Sequence, residues 1–448
     1  MTQSPNQTDP SLAVVSYAQA PGPGGPEAQI SAALARRLAT QWRGPLAFYS
    51  GGRPPADAQG LALAALRDDL ESWSAASDPG PSTTTRALQR LTLSSQARRR
   101  SVGRLVSRLL YERSGYSIKY HAFERGAAHL LRQQLRRDPD TVVWSRVLPV
   151  VSMTTAHRAL SKLAGPGRHR WIVNFNDPCP PHIYRGLYPL DERTEAKLAR
   201  TVQRVLPRID AATFPSRRLH ELHVAALPAL TEIPARIIPH VQDDLPFVPS
   251  HISRDPGAPL LAFAGTLRHD HLGHAFAEAL RRLARRQPEA ALRFRFLLTS
   301  PSRALEQLAR EAPFAIEIHD ASRDPGSIDV DLAKADALIC FETEIDRPLL
   351  LTKIAGYLRF GAPILGLCAP GGTTDELLSR SSLHQSVPFD DPDAIAEVLT
   401  KVQARDRSQT KTDPVAQRFD SATVADQLRA LLDDLASRRR GLQGPEWP

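Results

Sequence analysis

The sequence predicts an α/β protein made of two doubly wound domains of similar size that face each other across a cleft. Three observations predict it. Short apolar runs with the composition of buried parallel strands alternate with amphipathic helical stretches. The alternation breaks once, at Gln242–Pro259 (QDDLPFVPSHISRDPGAP), whose residues have the composition of an interdomain linker, and then restarts. The 448 residues also exceed one ordinary core, whereas two domains of about 200 residues each are a usual size.

Composition narrows the class. With 42% hydrophobic and 23% charged residues, the chain reads as a soluble globular protein. A net charge of +9 fits either a basic face for phosphates or anionic lipid, or arginines spread over solvated helices. The runs Arg98–Arg100 and Arg438–Arg440 are not interleaved with aromatics, so no nucleic-acid partner is expected. Cys179, Cys340 and Cys368 lack metal-ligand spacing, and two of them fall in expected strands, which fits small core residues in a reducing compartment. MTQSPNQTDP has no basic segment followed by an apolar one, and no apolar run approaches the roughly 18 residues that span a bilayer. The expected location is cytoplasmic, with contact at the inner face of the membrane left open.

In chain order, residues 1–10 read as a disordered leader, and Leu12–Tyr17 as a strand running into APGPGGPEAQ. A helix is expected from about Glu27 to Thr40, with Ile30, Leu34 and Leu38 on one face. A strand, a Gly-rich turn and a helix can present backbone N–H groups to an anion, or be no more than a flexible turn. The spacing matches neither G-x-G-x-x-G nor a P-loop. Leu46–Ser50 is a second strand; Ala56–Asp138 reads as several helices, with Ser82–Arg104 a candidate mobile loop. Thr141–Val151 reads as a strand, then SMTTAHRALSKLAG as loop and helix, placing His157 near the helix N-terminus and the strand exit. A surface or capping role for His157 fits equally well. Trp171–Phe175, Ala211–Phe214 and Ala235–Ile238 complete the strands of a first domain over residues 11–241, with an amphipathic helix at Asp191–Ile209.

After the linker (242–258), a second domain over residues 259–415 carries expected strands at Pro259–Ala264, Arg293–Thr299, Phe314–His319, Ala337–Phe341, Pro363–Cys368 and Val387–Phe389. Expected helices are Leu272–Arg286, Arg303–Arg310, Ile328–Ala333 and Asp391–Ala404, and residues 416–448 form a terminal helix (Ala422–Ser437) and tail. The stretch Ala335–Leu378 is the densest part. A strand, a polar loop, a helix over Leu351–Phe360 stopped by Gly361, a second strand, Gly371-Gly372 and a further helix near Thr373 follow one another. Ligands of parallel α/β sheets bind at such strand exits.

Four segments together resemble bacterial glycosyltransferases of the GT-B fold, specifically glycosyltransferase family 4, over roughly residues 11–436. LAVVSY with PGPGGPEAQISAALARRLA is similar to the Gly-Gly-x-Glu opening loop; SMTTAHRALSKLAGPGRHRWIVNFNDP to the Trp-Ile strand with a following Asp-Pro; LLAFAGTLRHDHLGHAFAEAL to the strand and loop that open the donor domain; and TKIAGYLRFGAPILG with PGGTTDELL to the Ser/Thr-Lys-x-x-Glu-Tyr-Leu-x-x-Gly-x-Pro segment. The resemblance implies two Rossmann-like domains. It also implies retaining sugar transfer from a nucleoside diphosphate sugar, such as a UDP- or GDP-sugar, to a hydroxyl of a glycan or lipid-linked acceptor, in bacterial polysaccharide or glycoconjugate assembly.

It further implies a site. Arg268 and Lys353 would hold the diphosphate, with His157 nearer the transferred sugar as the third catalytic candidate. Gly24, Gly25, Gly265, Thr266, Glu342, Thr352, Gly371, Gly372 and Thr373 would line the donor, and Glu27 and Asp177 the acceptor side. No cofactor or metal is implied, since basic residues and helix N-termini would replace a cation; Asp243-Asp244 lies in the linker. The Arg-rich stretch Arg86–Arg137 is the candidate surface for a peripheral contact with anionic membrane. One departure stands out. Of two glutamates eight residues apart in many members, the second falls at Gly356 and the first at Pro348. Glu342 or Glu344 at the preceding strand exit could substitute. A non-catalytic nucleotide- or glycan-binding relative and a nucleotide-sugar epimerase are the alternatives.

Overall fold

The computed structural model describes residues 9–16, 42–50, 118–147, 150–163, 169–180, 192–240, 258–267, 274–321, 327–403 and 413–441. It divides into two compact units. The first contains β1 (Leu12–Ser16), β2 (Leu46–Ser50), α1 (Ile118–Arg137), β3 (Val142–Val147), α2 (Val151–Leu160), β4 (Trp171–Phe175), α3 (Glu192–Val205), β5 (Ala211–Phe214), α4 (Arg217–Ala226) and β6 (Ala235–Ile237). The second contains β7 (Leu260–Gly265), α5 (His274–Arg286), β8 (Arg293–Leu298), α6 (Arg303–Glu311), β9 (Ala315–Asp320), α7 (Ser327–Lys334), β10 (Ala337–Phe341), α8 (Thr352–Leu358), β11 (Ile364–Cys368), α9 (Thr373–Leu378), β12 (Gln385–Pro388), α10 (Pro392–Gln403) and α11 (Pro414–Gln417). A terminal helix, α12 (Ser421–Gly441), closes the described chain.

In the first unit six parallel strands run in the order β2-β1-β3-β4-β5-β6, so the chain reverses its direction of winding between β1 and β3. β1 and β3 are buried along their whole length, as strands covered on both faces must be. One expectation needs correction here: TVVWSRVLPVV is not a single strand. β3 stops at Val147 and α2 begins at Val151, a helix with seven of its ten residues buried. A short apolar run does not distinguish a strand from the start of a buried helix. From Ala425 onward α12 belongs to this first unit and not to a separate C-terminal segment. Arg429 Nε bonds Asp9 at 3.0 Å, Arg170 donates to the Leu432 carbonyl at 3.3 Å, and Arg236 pairs with Asp434.

The second sheet has the order β12-β11-β10-β7-β8-β9, again parallel throughout. Its core is aromatic: Phe276 meets Phe294 and Phe341 edge to face at 5.9 and 5.5 Å, and Phe263 packs on Phe341 at 5.5 Å. Since β8 and β9 lie on one side of β7 while β10, β11 and β12 lie on the other, the switch point falls between β7 and β10. The two doubly wound α/β units expected from the alternation are therefore present. The leader, the helix over 27–40 and the loop over 82–104 lie wholly or mostly outside the described residues.

Candidate functional site

The crevice outside the carboxyl ends of β7 and β10 is where a doubly wound sheet binds ligands. β7 ends on Gly265 at φ 126°, a conformation that glycine adopts at little cost. Lys353, on the first turn of α8, reaches back over this end. Its Nζ lies 4.3 Å from the centre of the Phe263 ring and 3.9 Å from where a Cβ on Gly265 would stand. Tyr357, one turn further along α8, anchors the helix: its hydroxyl accepts from the Ala264 amide at 2.8 Å and donates to the Ala264 carbonyl at 3.3 Å. An ammonium is thus held over an aromatic face at the strand exit, where the cation–π attraction favours its charge. Thr266 Oγ1 is hydrogen-bonded to Thr299 Oγ1 at 2.8 Å on the same edge. Thr352 opens α8. Arg268 lies outside the described residues.

The β11–α9 turn departs from expectation. Its amides were expected to offer donors to phosphate, but each is engaged. Gly371 N–H donates to Asp375 Oδ2 at 2.8 Å, Gly372 N–H to the Ala369 carbonyl at 2.9 Å, and Thr373 N–H to the Arg347 carbonyl at 2.8 Å. Thr374 N–H donates to Glu342 Oε2 at 3.1 Å. Side chains and carbonyls of the chain itself fill the places an anion would take.

Glu342 is also corrected. It was expected to meet the donor, but it is fully buried, so its carboxyl serves the turn and reaches no ligand from this position. Burial first, then the nearby Asp346 and Asp375, push its carboxyl up to about 8, against the opposing Thr374 contacts. Gly356 lies on α8, and a Cβ there would meet nothing within 4 Å, so packing does not demand glycine. Arg347, absent from the expected site, has its guanidinium 3.4 Å from where a Cβ on Gly371 would stand and pairs with Glu344 at 3.3 Å. No sequence pattern marks Arg347, because its role depends on a loop contact with the β11–α9 turn, whereas Tyr357 lies in the TKIAGYL segment and Asp375 only four residues after Gly371.

In the first unit His157 is corrected as well. It lies in the last turn of α2, not near its start, and its ring stacks on Trp171 with centroids 6.3 Å apart. Trp171 is the first residue of β4, so the ring sits at the edge opposite the strand exits. Burial, followed by Arg208 and Arg204, lowers its affinity for a proton. Asp177 does follow the exit of β4, in a loop whose neighbours are tied down. Asn176 N–H donates to the Val147 carbonyl at 2.7 Å and its side chain accepts from the buried Arg146 at 3.1 Å. Cys179 N–H donates to His223 Nε2 at 3.0 Å. Gly24, Gly25 and Glu27 lie outside the described residues. The three thiols are buried, and burial raises Cys179 well above its usual range and Cys340 to about 12. Among the described residues no group of three His, Cys, Asp or Glu could hold a metal ion, and no helix is long and apolar enough to cross a membrane.

No family model and no curated protein matches the chain. Solved structures do share its fold. A Candida albicans trehalose-6-phosphate phosphatase N-terminal domain superposes with a TM-score of 0.53 at 10% identity, covering 97% of this chain and 98% of that one. A UDP-forming α,α-trehalose-phosphate synthase from Burkholderia vietnamiensis gives 0.52 at 13% identity, covering 97% and 99%. A glycosyltransferase from Rickettsia africae gives 0.51 at 11% identity, covering 95% and 97%. The fold class is that of these two-domain GT-B proteins.

Proposed function

We propose that the chain is a glycosyltransferase moving a sugar from a nucleoside diphosphate sugar to a hydroxyl acceptor. The observation that carries this reading is Lys353 Nζ held over Phe263 at the switch point of the second sheet. A leaving diphosphate gains negative charge as the glycosidic bond breaks, and a fixed ammonium at that place stabilises the change. Two proteins of this fold are a glycosyltransferase and a UDP-forming synthase, which supports a sugar-nucleotide donor. In this reading Lys353, joined by Arg268, holds the diphosphate, and the β11–α9 turn frames the pocket without donating to it. Retention at the anomeric carbon, independence of metal, and a glycan or lipid-linked acceptor near Asp177 belong to the same proposal.

The test is release of nucleoside diphosphate from a panel of sugar nucleotides. Lys353→Ala is expected to lower turnover at least tenfold, equivalent to about 1.4 kcal/mol of transition-state stabilisation. Turnover unchanged in that variant sinks the assignment.

A second reading, a protein that binds the nucleotide without turnover, is favoured by the engaged amides of Gly371–Thr374 and by Gly356. Binding without release or transfer across the whole panel would select it.

A further inference from the structure

Glu342 has no solvent access although it stands at the ligand-binding edge of its sheet. Three bonds tie it to the segments beside it. Its amide donates to the Leu367 carbonyl at 2.9 Å, its carbonyl accepts from the Ala369 amide at 3.1 Å, and Oε2 accepts from the Thr374 amide at 3.1 Å. Oε1 fills the space beside Gly372 in which a side chain at that position would begin, and it has no hydrogen-bond partner among the described residues. The carboxyl is thus a spacer as well as an acceptor.

We propose that Glu342 is a positioning residue that clamps the Gly371–Thr374 turn to the end of β10 and so sets the edge of the pocket served by Lys353. The proposal rests on the diphosphate reading above. The link to Lys353 is short. Phe341, the residue before Glu342, packs on Phe263 at 5.5 Å, and the Lys353 ammonium lies over that Phe263 ring.

The clamp requires a neutral carboxyl. Ionised, the carboxylate would be a buried charge compensated by Thr374 alone. Asp346 and Asp375 face the group and add repulsion, while the Thr374 side chain and amide offset only part of the cost. The neighbouring Cys340 and Cys368 thiols are kept neutral by burial and add no charge. Lys353 acts on Cys340, and Arg347 is paired with Glu344. Charging Glu342 therefore loosens the turn and adds negative charge at the edge that must accept a diphosphate.

The test titrates inorganic pyrophosphate calorimetrically into the full chain, as wild type, Glu342→Gln and Glu342→Ala, in steps from about pH 6.5 to about 9.5. Melting temperatures without ligand are taken over the same steps. Gln copies the neutral acid, so the Glu342→Gln protein is expected to hold its affinity to within about twofold of the drift set by pyrophosphate's own ionisation. Wild type should lose at least about tenfold more, with its melting temperature falling about 5 °C relative to Gln as the pH rises through about 8. Glu342→Ala should bind weakly at every pH. Parallel pH profiles for wild type and Gln, with pyrophosphate bound by both, overturn the clamp and leave the diphosphate reading standing. Pyrophosphate bound by none of the proteins sinks the diphosphate reading, and the melting comparison then decides the clamp alone: a gap that widens with pH supports it and a constant gap overturns it.

Discussion

Oε1 of Glu342 occupies the space that a side chain on residue 372 would need, so Gly372 and Glu342 form one interlocked pair across the β10 and β11 exits. Gly372 has φ −74°, a value any residue adopts, and its lack of a side chain answers the Glu342 carboxyl and the Ala369 carbonyl, which lies 2.9 Å from where a Cβ would stand. Gly372→Ala should therefore destabilise the protein by about 1–3 kcal/mol through overpacking. Combined with Glu342→Ala, which removes the carboxyl and leaves only the Ala369 carbonyl close by, the loss should be smaller than the sum of the two. Urea denaturation of the four proteins measures the coupling, and additive losses would refute the interlock.

Tyr357 pins α8 to β7 through both backbone groups of Ala264. Tyr357→Phe keeps the ring but leaves a buried amide and carbonyl unpaired, and the expected loss is about 1–3 kcal/mol. Amide exchange at Ala264 should accelerate in this variant. Unchanged protection there would show that other groups hold the helix.

Gly356 interrupts α8 with open space around its Cβ position. Gly356→Ala should stabilise the protein by about 0.5–1 kcal/mol, since alanine loses less backbone entropy in a helix. Thermal melting checks this, and a lower melting temperature would point to a crowded site.

His223 is buried and neutral, accepting from the Cys179 amide through Nε2 and donating to the Leu219 carbonyl at 2.7 Å through Nδ1. Burial lowers it from 6.5 to about 4. The folded form resists protonation more than the unfolded chain does. Its contribution is therefore complete above about pH 6.5 and is lost progressively as pH falls toward about 4. Stability followed across that window should decline in wild type and stay flatter in His223→Gln. Equal slopes would remove His223 from the acid response.

The reading from sequence served best where the signal is local. The runs LLAFAG, ALICF and ILGLC are buried strands within one residue of expectation, because a strand covered on both faces must be apolar throughout. The Gly371-Gly372 turn before α9 was also legible from its glycines. His157 was misplaced because the apolar run VLPVV hides the start of α2.

The sequence by itself determined two doubly wound α/β units and the strand exits that carry their polar residues. Periodicity and composition suffice for that, since burial on two faces dictates residue type along each strand. Tertiary structure alone decided which of those polar groups are available. Whether an amide in the Gly371–Thr374 turn is open or occupied depends on Arg347 and Glu342 arriving from the segment after β10, and on Ala369 and Asp375 folding back beside the turn. Whether Glu342 can meet a ligand depends on its burial beneath Gly372. The contacts from Arg347 and Glu342 act through space between segments distant from the turn in the chain, and no spacing along the chain encodes them.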